Sequence, residues 1–99
     1  MKLIPLSEIK DNDEFWKGTK FRQYRIGLNI SDSEEDYYEY MLVEIPGEKN
    51  YMLLTCLTGH KSGSTLALVK TVDKTNKFVV SGKTIKYSVG VQNTYLVKE

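Results

Sequence analysis

Hydrophobic and polar positions change their period along the chain. Residues 3–18 hold the one stretch with helical features. Ser7 can cap a short helix with Glu8, Ile9 and Lys10 in its first turn, and Asp11-Asn12-Asp13 stops it. A second short helix can run through Asp13–Trp16 and end at Gly18, and Phe15 and Trp16 read as apolar anchors onto a sheet. From Lys20 the period becomes two. Tyr24, Ile26, Leu28 and Ile30 alternate with Gln23, Arg25, Gly27 and Asn29, the pattern of a half-buried strand. Residues 31–36 are polar and read as a loop. Tyr37–Ile45 reads as a second strand, with Met41, Val43 and Ile45 as its core positions and residues 37–40 as its exposed start. Pro46-Gly47-Glu48-Lys49-Asn50 signals a hairpin turn into Tyr51–Leu57, which is apolar on both faces and so predicts a central strand.

After a loop over Thr58–Ser64, Thr65–Val72 predicts a fourth strand, Asp73–Asn76 a hairpin connection and Phe78–Val80 a fifth strand. Ser81-Gly82-Lys83 turns the chain. Ile85, Tyr87, Val89 and Val91 then alternate with Lys86, Ser88, Gly90 and Gln92, the cleanest period-two signal present, and Tyr95-Leu96-Val97 suits a last short strand. The predicted architecture is mainly β on the margin of α+β. It is an antiparallel, curved sheet, a small barrel or a sandwich of about six strands, in a single domain over 1–99 with a short helical lead at 1–19 and the sheet over 20–97.

Charge sharpens this picture because it is segregated. The chain has a net charge of +1, yet no Lys or Arg lies between Arg25 and Lys49. That interval carries Asp32, Glu34, Glu35, Asp36, Glu39, Glu44 and Glu48, a charge of −7, while residues 1–25 sum to +2 and residues 49–99 to +6. Asp32, Glu34, Glu35, Asp36 and Glu39 repel one another, a cost that a basic partner would remove, and Tyr38 and Tyr40 beside them add rigid amphipathic contact area. Opposite charge also speeds encounter with such a partner. These seven residues form the expected binding surface.

Other chemistry is thinly represented. Cys56 is the single cysteine and sits in an apolar run, which excludes an intrachain disulfide and fits a reducing compartment. The N-terminal residues lack the apolar core of a signal peptide, no run of 18 apolar residues occurs, and the expected location is cytoplasmic. His60 is the one histidine, so a two-histidine acid–base pair is ruled out, and a triad would need it beside Cys56 or Ser62. One His and one Cys fall short of a zinc set, and the acids at 32, 34 and 36 lack the glycine and the later Glu of a calcium loop. Gly59-His60-Lys61-Ser62-Gly63 fails the phosphate-loop pattern, with Leu54 in place of its first glycine and His60 in place of its lysine. No catalytic residue, metal or cofactor is therefore expected, and the chain does not read as an enzyme. Lysines 70, 74, 77, 83 and 86 with Tyr87 and Tyr95 form the competing site, a basic stacking surface for single-stranded nucleic acid.

The stretch Tyr51-Met52-Leu53-Leu54-Thr55-Cys56-Leu57-Thr58-Gly59-His60-Lys61-Ser62-Gly63, a strand followed by Leu-Thr-Gly-x-x-x-Gly, resembles part of small bacterial immunity proteins of contact-dependent growth inhibition and related polymorphic toxin systems. The resemblance extends loosely over residues 37–97. It implies an inhibitor whose partner is a cognate protein toxin, most often a nuclease. Nuclease active sites are basic because they bind phosphate, and an acidic surface can occupy the same place.

Overall fold

A computed structural model describes residues 1–24, 37–57, 65–72 and 79–98. Eight strands and one helix are present among them: β1 (Lys2–Pro5), β2 (Glu14–Phe15), β3 (Lys20–Tyr24), β4 (Tyr37–Glu44), β5 (Tyr51–Cys56), β6 (Thr65–Lys70), β7 (Val80–Ser81), α1 (Gly82–Val89) and β8 (Thr94–Lys98). Six strands form one antiparallel sheet in the order β1-β8-β3-β4-β5-β6, and β2 pairs with β7 in a separate two-stranded sheet. The fold is mainly β, as the alternation predicts, and the sheet is open rather than closed into a barrel. Ile26, Leu28 and Ile30 of the first predicted strand lie outside the described residues. So do the three predicted connections at 31–36, 58–64 and 73–76, together with Phe78.

The β5 sequence alternates about the sheet as a strand with one covered face must. Met52, Leu54 and Cys56 are buried, whereas Leu53 and Thr55 are only partly so. Register carries that face across the sheet. Ile4, Leu96, Phe21, Tyr40 and Cys56 stand opposite one another on five successive strands, and Leu42, Leu54 and Ala67 form the next row. A register shift between Leu54 and Thr55 marks a bulge where β5 meets β6. Leu6 and Ile9 from the N-terminal lead, Phe15 and Val80 from the small sheet and Ile85 from α1 close this core.

The lead folds by a different route from the predicted one. Residues 2–5 form an edge strand on β8, and Leu6–Glu8 make one 3-10 turn that drops Leu6 and Ile9 into the core. Asp13 accepts the Lys10 N–H on its carboxylate (3.0 Å) while its own N–H donates to the Lys10 carbonyl (3.1 Å), which turns the chain into β2. Phe15 then packs edge-on against Phe21, with ring centroids 5.5 Å apart. The second predicted helix, over Asp13–Trp16, is replaced by this short strand.

Two further expectations are corrected. Residues 85–91 are not a strand, because Ile85 and Val89 belong to α1 and Gly90 caps its end. The Ser81 hydroxyl accepts the Thr84 N–H at 3.2 Å as an N-cap, and Gly90 ends the helix at φ 79°. Ile85 and Val89 are four residues apart, a spacing that satisfies a strand face and a helix face equally, so alternation alone could not separate the two. In β4 the buried positions are Tyr40 and Leu42, and Met41, Val43 and Ile45 are only partly buried. The side-chain period fixes that Tyr40 and Leu42 share a face. Which face is covered is decided by pairing with Phe21, Cys56 and Leu54, which are distant in sequence.

Candidate interaction surface

The second face of the six-stranded sheet carries a different set of side chains. Among the described residues no helix or strand packs over it. Arg22 lies near its middle, opposite Glu39 on β4 and Tyr95 on β8, and the adjoining pair is Tyr24 with Tyr37. Arg22 donates to Glu39 Oε2 from both Nε (3.1 Å) and Nη2 (2.9 Å), and its Nη1 lies 3.5 Å from the Tyr24 hydroxyl. The guanidinium carbon stands 4.1 Å from the centre of the Tyr37 ring, a cation–π contact. The Tyr24 ring centroid lies 5.4 Å from that of Tyr37 and 5.8 Å from that of Tyr95. The side chains of Arg22 and Glu39 are only 12% and 15% exposed. The hydrogen bond to Tyr24 raises the Arg22 pKa above its ordinary value. Burial opposes that shift, and the hydrogen bond to Glu39 supports it. The result is a rigid aromatic patch around an internally neutralised ion pair. Leu53, Leu68, Met41 and Val43 continue the face toward β6 with apolar side chains.

The predicted surface residues divide between three locations. Asp32, Glu34, Glu35 and Asp36 lie outside the described residues. Glu39 is on the open face, but its charge is matched by Arg22. Tyr38 and Tyr40 point to the opposite side of the sheet, since they alternate with Tyr37 and Glu39. Tyr38 is packed against the core and Tyr40 is part of it, at 5% exposure, with ring centroids 6.5 Å apart. Burial raises the Tyr40 hydroxyl above its ordinary pKa of 10.0, and electrostatic interactions with Cys56 and Tyr38 act in the same direction. Tyr40 is thus a core residue and not contact area. The tyrosines grouped around Arg22 on the open face are Tyr24, Tyr37 and Tyr95, and Tyr51 shares that face farther out, opposite Lys70. One local signal pointed to this arrangement: Tyr37 has the same parity as Glu39. The placement of Tyr24 and Tyr95 beside them depends on sheet register, which no local pattern contains.

The lysine-rich half does not form one surface among the described residues. Lys70 belongs to the open face of the sheet, opposite Tyr51 on β5. Lys83 and Lys86 ride on α1, whose Ile85 packs into the core on the other side. Lys86 Nζ is bound to Asp11 Oδ1 at 3.0 Å. Tyr87, 92% exposed on the helix, and Tyr95, on the open face, are likewise separated by the sheet. Lys74 and Lys77, like His60 and Ser62, lie outside the described residues.

Cys56, the single cysteine, is buried. Among the described residues no group of three or more His, Cys, Asp or Glu side chains comes together as a metal site would require, and no helix is long and apolar enough to cross a membrane. A cleft of about 690 Å3 lies between the N-terminal lead and the β1-β8-β3 edge, floored by Ile4, Ile9, Phe15 and Leu96 and flanked by Trp16. Comparison of the chain with protein-family models, with curated proteins and with solved structures finds no match.

Proposed function

We propose that this chain is a binding protein that inhibits a basic partner, and that the partner is a toxin of the nuclease class to which the resemblance to immunity proteins points. The observation that carries the reading is the composition of one place in the fold. The acidic run at residues 32–36 leads directly into Tyr37, the first residue of β4, and Tyr37 stands with Tyr24 and Tyr95 on the sheet face that no described element covers. Carboxylates supply attraction and orientation toward a phosphate-binding cleft, and rings held by ring–ring and cation–π contacts supply contact area at little entropic cost. Because Glu39 is neutralised by Arg22, the attraction falls to Asp32, Glu34, Glu35 and Asp36, and the contact area to Tyr24, Tyr37 and Tyr95 rather than to Tyr38 and Tyr40.

The test begins with the protein encoded immediately upstream in the native organism, or with a partner captured from its lysate by the tagged full chain. Changing Asp32 and Asp36 to Asn, and Glu34 and Glu35 to Gln, should slow association about 10-fold or more at low salt and shrink its salt dependence. The thermal midpoint should stay near that of the parent. Unchanged affinity in this variant would exclude the acidic segment as the recognition element. Tyr37→Ser, assayed for inhibition of the partner's activity, separately tests the aromatic patch.

A further inference from the structure

The two edges of the six-stranded sheet are protected to different degrees. A strand at an edge offers a row of unpaired N–H and C=O groups, and proteins blunt such edges with Pro, with charge, or by covering them. The β1 edge has two of these devices in four residues: Lys2, and Pro5, which donates no hydrogen bond. The β6 edge, Thr65-Leu66-Ala67-Leu68-Val69-Lys70, has no proline in six residues, and its one charge, Lys70, is at its last position. No described strand pairs with its outer side. Leu68 is 57% exposed on the open face, and its neighbour Tyr51 on β5 is also exposed. By composition, β6 is an interior strand occupying an edge position.

We propose that β6 pairs antiparallel with β6 of a second copy of this chain, joining two six-stranded sheets across a two-fold axis. A two-fold perpendicular to the sheet keeps the helix-covered faces of both copies on one side, so residues that meet must have the same parity. Centring the axis on Leu68 sets Leu68 opposite Leu68 of the second copy, and Ala67 opposite Val69. The exposed leucine is then covered by its own symmetry mate. The two Lys70 side chains are kept four positions apart, about 13 Å along the strands, so like charges do not meet. The net charge of +1 opposes association little. Pairing of β6 with β1 of another copy would instead propagate as an open filament, and Pro5 and Lys2 disfavour that contact. A contact between two six-residue strands is below the roughly 1,200–2,000 Å2 of stable interfaces, so the dimer is a weak, reversible one. The Tyr24–Tyr37–Tyr95 patch, on β3, β4 and β8, stays free in each copy, so the inference does not depend on what that patch binds.

Sedimentation velocity of the full chain from about 1 µM to about 1 mM should show a reversible monomer–dimer equilibrium. Leu68→Lys places like charges across the axis and should weaken association at least 10-fold with an unchanged circular dichroism spectrum. Lys2→Glu, on the opposite edge, should leave association as in the parent. Leu68→Cys should form a covalent dimer under oxidised glutathione, whereas the parent, whose Cys56 is buried, should not. A parent chain that stays monomeric over the whole range overturns the proposal. So does association that survives Leu68→Lys or is lost in Lys2→Glu. If Leu68→Lys fails to fold, the absence of a Leu68→Cys crosslink at concentrations where the parent associates overturns it equally.

Discussion

Replacing Glu39 with Gln removes one charge from the open face while keeping the side chain's size and one acceptor oxygen. Arg22 then keeps its contact with the Tyr37 ring and its approach to Tyr24, but loses the carboxylate that two of its N–H groups address at 2.9 and 3.1 Å. An exposed ion pair contributes about 0–1 kcal/mol, whereas removing one partner of a fully buried pair costs about 3–5 kcal/mol. With 12% and 15% exposure the pair falls between these limits. Arg22 can recover some water only by leaving the ring that stacks on it. The expected loss is about 2 kcal/mol, which for a domain of this size lowers the thermal midpoint by roughly 8–16 °C. Urea denaturation of the parent, Glu39→Gln, Arg22→Met and the double variant measures the coupling directly, since methionine retains most of the arginine stem. A coupling within about 0.3 kcal/mol of zero, or a Glu39→Gln loss below about 0.5 kcal/mol, would refute the idea that this pair organises the face. The replacement also leaves the Arg22 charge uncompensated, so association with a basic partner should slow modestly, well short of the loss expected when the four acids at 32–36 are removed.

Two further outcomes follow from the buried side of the sheet. The Tyr40 hydroxyl is raised above 10.0 in the fold by burial, so the folded state holds its proton more tightly than the unfolded chain does. Stability from this group is complete below about pH 10 and is lost as pH rises through the folded value. Urea midpoints measured from about pH 8 to about pH 11 should fall more steeply for the parent than for Tyr40→Phe, and parallel curves would show that Tyr40 contributes nothing to the fall. At Gly82, an added Cβ would fall inside contact distance of the Lys10 carbonyl oxygen and lie 3.1 Å from Ile9 Cγ2. Gly82→Ala should therefore cost about 3 kcal/mol in urea denaturation, and a cost below about 1 kcal/mol would mean that the lead moves aside freely.

Strands rich in β-forming residues on either side of a clear turn signal were legible in the sequence. Tyr37–Glu44 and Tyr51–Cys56 stand where the pattern placed them, and the turn between them contains Gly47 at φ 80° with the Glu48 N–H on the Ile45 carbonyl. Residues 82–89 were misread because Ile85 and Val89 fit either period. The cap at Ser81, with Thr84 three residues on, and the stop at Gly90 were the discriminating signals. The N-terminal strand was missed because four residues ending in proline have little intrinsic strand character, and its position depends on Leu96 and Val97 opposite. Of the candidate site, the acids at 32–36 were read from composition and lie outside the described residues, and the aromatic part was not legible. Composition located the acids, but choosing Tyr37 over Tyr38 and Tyr40 required knowing which side of β4 the lead and the helix cover. Grouping Tyr24 and Tyr95 with it required the β8-β3-β4 order, a contact between residues some seventy positions apart.

That order also sets how the molecule yields to force. Among the described residues β1 pairs in the large sheet only with β8, and their register puts Lys2 beside Lys98. A pull applied at residues 2 and 98 therefore starts from neighbouring points at one end of an antiparallel pair. The load falls on one ladder hydrogen bond at a time instead of being shared along the strand. The seam peels like a zip, and once β8 follows, the flank of β3 that carries Arg22 and Tyr24 becomes a new raw edge. Mechanical tension threaded through those two positions would dismantle the tyrosine patch before it reached the Met52–Leu54 centre of the core.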